Sequence, residues 1–248
     1  MTLLVLDTAQ GLCTVALGRD GRVIASRSEP MTRGHQERLP ALVEAVLAEA
    51  GIPASALKVV AATRGPGSFT GLRVGLAFAQ GLAAATGARP IGLSSLDALA
   101  VDGFHGANHL DPDHAMPVCA IMDARREQVY MALWSPFESE EGRGIPDPSV
   151  GAHRLMDAQA LGLEMARDRL LDSVIPPYVL VGSGAFLLED MGPVYGLPCE
   201  GPSPEALVGL ATLQASDADP TGLEPLYLRA PDATPPTRLP GQPRPDRA

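Results

Sequence analysis

Thr63-Arg64-Gly65-Pro66-Gly67-Ser68-Phe69-Thr70-Gly71-Leu72-Arg73 joins an apolar run, Val59 to Thr63, to a segment of helical spacing, Leu72 to Thr86. A strand that enters a helix through so many glycines leaves backbone N–H groups free at the helix N-terminus, an arrangement that suits an anion. Ser68 or Thr70 can also serve simply as the N-cap of that helix. The run is not a nucleophile elbow, because Pro66 and Thr70 stand where that motif needs glycine.

Upstream, Leu3 to Leu6, Leu12 to Leu17 and Arg22 to Ser28 have the period of short strands, the last two joined by a turn at Arg19-Asp20-Gly21. Leu39, Leu42, Val43, Val46, Leu47 and Ala50 recur at helical spacing, with Pro40 tolerable in the first turn and Gly51 as the stop. Downstream, Gly87 closes the second helix, Pro90 to Leu93 gives another strand, and Ser95 to Ala100 a short helix. The order predicts an antiparallel hairpin feeding a sheet completed through helical crossovers, an α/β fold. Pro117 to Asp123, followed by the alternating run Gln128 to Trp134, restarts the pattern of an apolar strand ending in Asp and then a second strand. We read this as an internal repeat of two similar lobes, with chance likeness of two hairpins as the alternative.

The expected organisation is a first lobe over 1–104, joined by a C-terminal helix at 204–216, and a second lobe over 117–203. Residues 103–117 are expected to be a linker, 135–151 a polar insertion, and 229–248, where prolines dominate, a disordered tail. Tyr178 to Val181 is a further strand, leading into Gly182-Ser183-Gly184.

The formal net charge of −10 argues against a protein that holds an RNA backbone by itself, so any nucleic-acid role is expected to be indirect. Lys58 is the only lysine, which leaves almost no place for a Schiff base or a Walker loop. Cys13, Cys119 and Cys199 lie far apart in apolar stretches and are expected to be structural thiols in a reducing compartment. The N-terminus lacks the pattern of a signal peptide, and no window gives about 18 uninterrupted apolar residues. A cytoplasmic location is the expectation.

His105, His109, His114, Asp111 and Asp113 crowd one span, but Gly106, Asn108 and Pro112 argue against a helical ligand pair. No metal site is expected there. Asp7 and Asp123 each end a lobe's first strand, where an aspartate either faces a nucleotide cleft or merely forms a turn. Asp7, Thr8, Gly65, Gly67, Ser68, Asp123, Gly182 and Gly184 are the cleft candidates. On the second helix Gly71, Gly75, Phe78 and Leu82 form one stripe, and Leu72, Leu76, Ala79 and Ala83 another. The first stripe, with Leu39, Leu42, Val46 and Leu47 of the preceding helix, is the expected partner surface, pairing with a related subunit as a four-helix bundle. Burial within the monomer is the alternative.

With these residues assembled, the sequence resembles the TsaB (YeaZ) family. The match lies in Asp7-Thr8, in His35 with Glu37, Leu39 and Pro40, in Gly65 through Arg73, in Ser94 through Ala100, in Asp123 through Tyr130, and in Pro225-Leu226-Tyr227-Leu228-Arg229. The resemblance implies the two-lobed sugar-kinase/Hsp70/actin-like (ribonuclease H-like) fold and a non-catalytic subunit that pairs with TsaD. TsaD transfers a threonylcarbamoyl group from its adenylate to the adenosine next to the tRNA anticodon. A TsaE-like ATPase and a TsaC-type adenylate synthase are the other implied partners, with tRNA reached through the complex and a homodimer also implied. The catalytic relative carries a His-x-x-x-His metal pair on its first-lobe helix; here Leu39 follows His35 at that spacing. Ala9 stands where many relatives have Ser, which weakens an independent ATP site. No cofactor of its own is expected, with ATP or ADP and Mg or another metal confined to the complex. A phospho- or carbamoyltransferase using the cleft is the enzymatic alternative. A peptidase is a third, without a supporting constellation.

Overall fold

The computed structural model describes residues 1–111, 116–135, 153–188, 190–191, 194–218 and 221–229. Its first half forms strands β1 (Thr2–Asp7), β2 (Leu12–Arg19) and β3 (Arg22–Pro30), helix α1 (His35–Glu49), strand β4 (Val59–Gly65), helix α2 (Phe69–Thr86), strand β5 (Arg89–Ser94) and helix α3 (Ser95–Leu110). The second half forms β6 (Val118–Arg125), β7 (Gln128–Ser135), β8 (His153–Gly162), helix α4 (Leu163–Ser173), β9 (Tyr178–Val181), a 3-10 turn (Ala185–Leu188), β10 (Val194–Leu197) and helix α5 (Pro204–Gln214).

The two sheets have the same topology. Their strand orders are β3-β2-β1-β4-β5 and, read in the same sense, β8-β7-β6-β9-β10. In each, the first three strands pair antiparallel and the last two join parallel to the first. The expected repeat is therefore present strand for strand, with the 3-10 turn standing where the first half has α2. This is the duplicated-lobe arrangement of the sugar-kinase/Hsp70/actin-like class.

Each sheet is buried on both faces. The first packs α1 and α2 on one side through Leu4, Leu6, Val15, Leu39, Val46, Leu72 and Leu76. Its other side is covered by α5, through Leu207, Val208 and Ala211 against Leu3, Val5 and Ile91. The second sheet packs α4 on one face and α3 on the other, where Leu99, Phe104 and Ala107 meet Val118, Ala120 and Trp134. Each half thus lends its last helix to the other half's sheet or to the seam between them, and α3 touches α5. Asp102 of α3 accepts from the amide (2.8 Å) and hydroxyl (2.5 Å) of Ser203, the N-cap of α5.

That exchange corrects two boundaries. The span taken as a linker from 103 continues α3 to Leu110, and α3 belongs to the second sheet rather than to a first lobe ending at 104. Helix α5 packs on the first sheet. Within the histidine span His105 and His109 lie on α3, where His109 Nδ1 is 2.9 Å from the His105 carbonyl oxygen. Asp113 and His114, nearly all of the insertion, and the tail after Arg229 lie outside the described residues. Among the described residues no helix is long and apolar enough to cross a membrane.

Candidate functional site

A cleft of about 960 Å3 opens between the lobes. Its first-lobe wall is the β1–β2 turn (Ala9, Gln10, Gly11), His35 at the start of α1, and Pro66 to Phe69 before and at the start of α2. Its second-lobe wall is Met122 to Arg126 at the β6–β7 turn, Tyr130, Ser183 and Phe186. The segment Leu226 to Arg229 and Glu200 complete the rim.

Of the eight cleft candidates, Gly67, Ser68 and Asp123 line this space. The other five sit behind it and are corrected to structural roles. Asp7 is fully buried; its Oδ1 accepts from Thr63 Oγ1 (2.6 Å) and the Ala9 amide (3.1 Å), while Oδ2 has no partner. Burial pushes its carboxyl above the usual range against these stabilising bonds. Thr8 donates to the Gly71 carbonyl (2.8 Å). Gly65 and Gly182 take φ values of 121° and 116°, and a Cβ on either would strike the carbonyl oxygen of Leu226 or Ile121. Gly184 packs on the backbone at Met122 and Asp123.

The turn before α2 is folded onto its own chain. The Ser68 amide donates to the Ala9 carbonyl (2.7 Å), Ser68 Oγ caps α2 by accepting from the Gly71 amide (3.3 Å), and Gly67 leaves no room for a Cβ against Ala9. Across the cleft, the Asp123 amide donates to Ser183 Oγ (3.2 Å) and that hydroxyl donates to Gln10 Oε1 (3.0 Å). Gln10 and Ser183 therefore tie the lobes together, and sequence reasoning singled out neither. Ser183 lay inside the flagged Gly-Ser-Gly; Gln10 gave no signal beyond its place after Asp7-Thr8.

His35 is 7% exposed, lines the cleft, and has no partner at Nε2; burial depresses its pKa, which favours the neutral ring. Leu39, one turn on, is fully buried. Among the described residues no group of three His, Cys, Asp or Glu is placed to hold a metal ion.

The Pro225–Arg229 motif is a strap from one lobe to the other. The Leu226 amide donates to the Arg64 carbonyl (2.7 Å) and Arg73 Nε to Tyr227 Oη (3.0 Å), while the Arg229 guanidinium reaches the Ala124 carbonyl (2.9 Å). Tyr227 lies 5.2 Å from the Phe69 ring, and Arg73 stacks 3.8 Å over the other residue of that pair, Phe69.

The partner-surface expectation needs correction at most of its residues. Leu39, Leu42 and Val46 are core, and Leu47 packs against that core. Gly71 and Gly75 are buried, with Thr8 filling the space beside each. The exposed face of α2 is offset from the predicted stripe: Ala77, Gly81 and Ala85 are exposed, between half-buried Val74, Phe78 and Leu82. Ala41, Ala45 and Ala48 are the exposed small residues of neighbouring α1.

Two lobes of one topology around a shared cleft define a duplicated-lobe α/β protein, and a model of the TsaD family, tRNA N6-adenosine threonylcarbamoyltransferase, matches residues 23–175. The chain is 31% identical to the tRNA threonylcarbamoyladenosine biosynthesis protein TsaB of Escherichia coli, over 92% of this chain and 95% of that protein. It is 30% identical to the TsaB of Bacillus subtilis, over 94% and 96%. The structure of YeaZ from Pseudomonas aeruginosa superposes with a TM-score of 0.72 at 30% identity, covering 92% of this chain and 99% of that one. The chain belongs to the TsaB (YeaZ) family.

Proposed function

We propose that the chain is a non-catalytic partner subunit in the synthesis of threonylcarbamoyladenosine in tRNA, pairing with a TsaD-type catalytic subunit. The names of its relatives place those proteins in this pathway. The observation that carries the pairing is the outer face of α2, where small residues recur beside half-buried apolar ones and a Cβ at Gly81 meets nothing within 4 Å. Small residues in such a row let a partner helix approach closely. The same face would serve a homodimer, so homodimer and heterodimer compete. The partner supplies the transferase chemistry, a TsaE-type ATPase and a TsaC-type adenylate synthase act with the pair, and ATP and any metal are held by the complex.

An independent phosphotransferase is disfavoured by the turn before α2. Its Ser68 amide and hydroxyl are committed to Ala9 and to the helix, and the aspartate at the end of β1 is sealed behind it.

Two measurements test the reading. The chain alone is expected neither to hydrolyse ATP nor to modify tRNA, and adding its TsaD, TsaE and TsaC counterparts is expected to give modification; robust transfer by the lone chain defeats the proposal. Gly81→Trp is expected to fold, because the position is open and glycine is a poor helix former. It is expected to weaken association with the TsaD counterpart by about 1–3 kcal/mol through overpacking. Wild-type affinity of a folded Gly81→Trp chain in a sizing titration would move the interface elsewhere.

A further inference from the structure

The chain has ten aromatic residues, five Phe, four Tyr and one Trp. Four of them, Phe69, Tyr130, Phe186 and Tyr227, line the inter-lobe cleft. Phe69, Phe186 and Tyr227 are 45%, 56% and 41% exposed. Phe69 and Tyr227 contact each other and Arg73 covers one face of Phe69, but Phe186 has no such ring contact among the described residues, and none of the three belongs to a core cluster. Exposed Arg125 and Arg126 stand at the same rim, held forward by three successive left-handed residues, Arg125 to Glu127. Asp123 and Glu200 are the acidic residues on the wall, and Asp123 is paired with Arg125 at 3.5 Å. Deeper in, His35 Nε2 and Gln10 Nε2 are buried polar atoms without partners among cleft-lining residues.

Open rings flanked by guanidinium groups, with unfilled hydrogen-bonding atoms behind them, match the chemistry of an unpaired nucleobase and its phosphate. Stacking needs ring faces rather than a basic surface, so it is compatible with a net charge of −10 in a way that tracking a duplex backbone is not. We propose that the mouth of the cleft takes an unpaired nucleotide of the RNA substrate, stacked on the exposed Phe186 ring and bordered by the Phe69–Tyr227 pair. This rests on the assignment of the chain to a tRNA-modifying complex and adds a direct contact to it. The partner still carries the backbone, and this chain orders one base of the loop.

The test uses the complex of the chain with its TsaD counterpart and three probes. These are a tRNA anticodon stem-loop with 2-aminopurine at single loop positions, a fully paired duplex of the same length, and AMP. At one loop position, addition of the complex is expected to quench the 2-aminopurine. Phe186→Ala is expected to reverse that quench, weaken loop binding about tenfold, and raise KM for tRNA with little change in kcat. Phe186→Tyr should restore all three. Phe186 is exposed, so sizing and thermal melting should report an intact Phe186→Ala complex. Unchanged loop binding by that variant overturns the proposal, as does equal binding of the duplex. Displacement of the loop by AMP at a comparable concentration overturns it too, by assigning the site to a free nucleotide. Failure of the wild-type chain to bind its TsaD counterpart or support modification would instead defeat the assignment of function.

Discussion

Asp7 shows how a residue legible in the sequence can have an illegible role. Its place at the end of the first strand is what a cleft-facing aspartate would show, yet a polar backbone turn at Thr8 and Ala9 seals it in, with Gly201 packed near its unpartnered Oδ2. No pattern in the chain announces that a neighbouring loop will cover it. Because the folded carboxyl titrates above the unfolded value, the native state binds the proton more tightly. Stability is therefore fully present at low pH and is lost as pH rises from the unfolded pKa through the raised folded one. Asp7→Asn keeps an oxygen for Thr63 and the Ala9 amide and removes the buried charge. It is expected to gain on the order of 1 kcal/mol at pH 7 and to flatten this part of the pH dependence, since an unpartnered buried charge costs more than a neutral amide. Urea midpoints at pH 5 and pH 7 check it: a variant less stable than wild type at pH 7 would mean that Oδ2 has a bonding partner.

Helix α2 illustrates the same limit one level up. Its start at the glycine turn, its stop at Gly87 and its two-sided burial followed from spacing, and Gly87 takes a left-handed φ of 71° as a C-terminal glycine should. Which side stays exposed did not follow. Gly71 and Gly75 are small because Thr8 sits against them, whereas a Cβ at Gly81 would meet nothing within 4 Å and the alanines near it are exposed; the sequence writes both with the same residues. Strand β8 escaped notice for a related reason. His153–Gly162 is an edge strand of mostly exposed or half-buried residues, and its pairing with β7 is interrupted near Met131 to Trp134, so the period-two signal is broken. Helix α3 was cut short because its glycines and histidines look like a linker, while Phe104 and Ala107 pack it onto the second sheet. The cap of α2 makes a prediction that separates structure from ligand binding. Ser68→Ala removes the acceptor of the Gly71 amide and is expected to cost about 1 kcal/mol of stability. It should leave the rate of tRNA modification by the reconstituted system unchanged at temperatures where the variant is folded. A fall in that rate without a fall in stability would return Ser68 to the list of binding groups.

At the scale of the whole molecule, the duplication does not produce two independent domains. Helix α3 leaves the first half to cover the second sheet, and α5 returns from the second half to cover the first. The two helices are joined by the bonds from Ser203 to the half-buried Asp102, the cleft is bridged by Gln10 and Ser183, and the strap runs from Arg64 to Ala124. Losing either lobe would strip the apolar face of the helix it holds, so unfolding should be one cooperative event although the chain exceeds the length at which that is usual. Trp134 is the single tryptophan, 3% exposed in the second lobe under α3, and it reports on that lobe alone. Gly75 lies in the first lobe, where a Cβ would run into Thr8 Oγ1. Gly75→Val is therefore expected to destabilise the first lobe by about 1–3 kcal/mol through overpacking. If the lobes are coupled as their shared helices require, the urea midpoint read from Trp134 fluorescence should fall by the same amount as the midpoint read from far-UV circular dichroism. A Trp134 midpoint that stays at the wild-type value while the dichroism transition splits in two would show that the second lobe stands without the first, and that α3 and α5 are packed on the sheets without linking their fates.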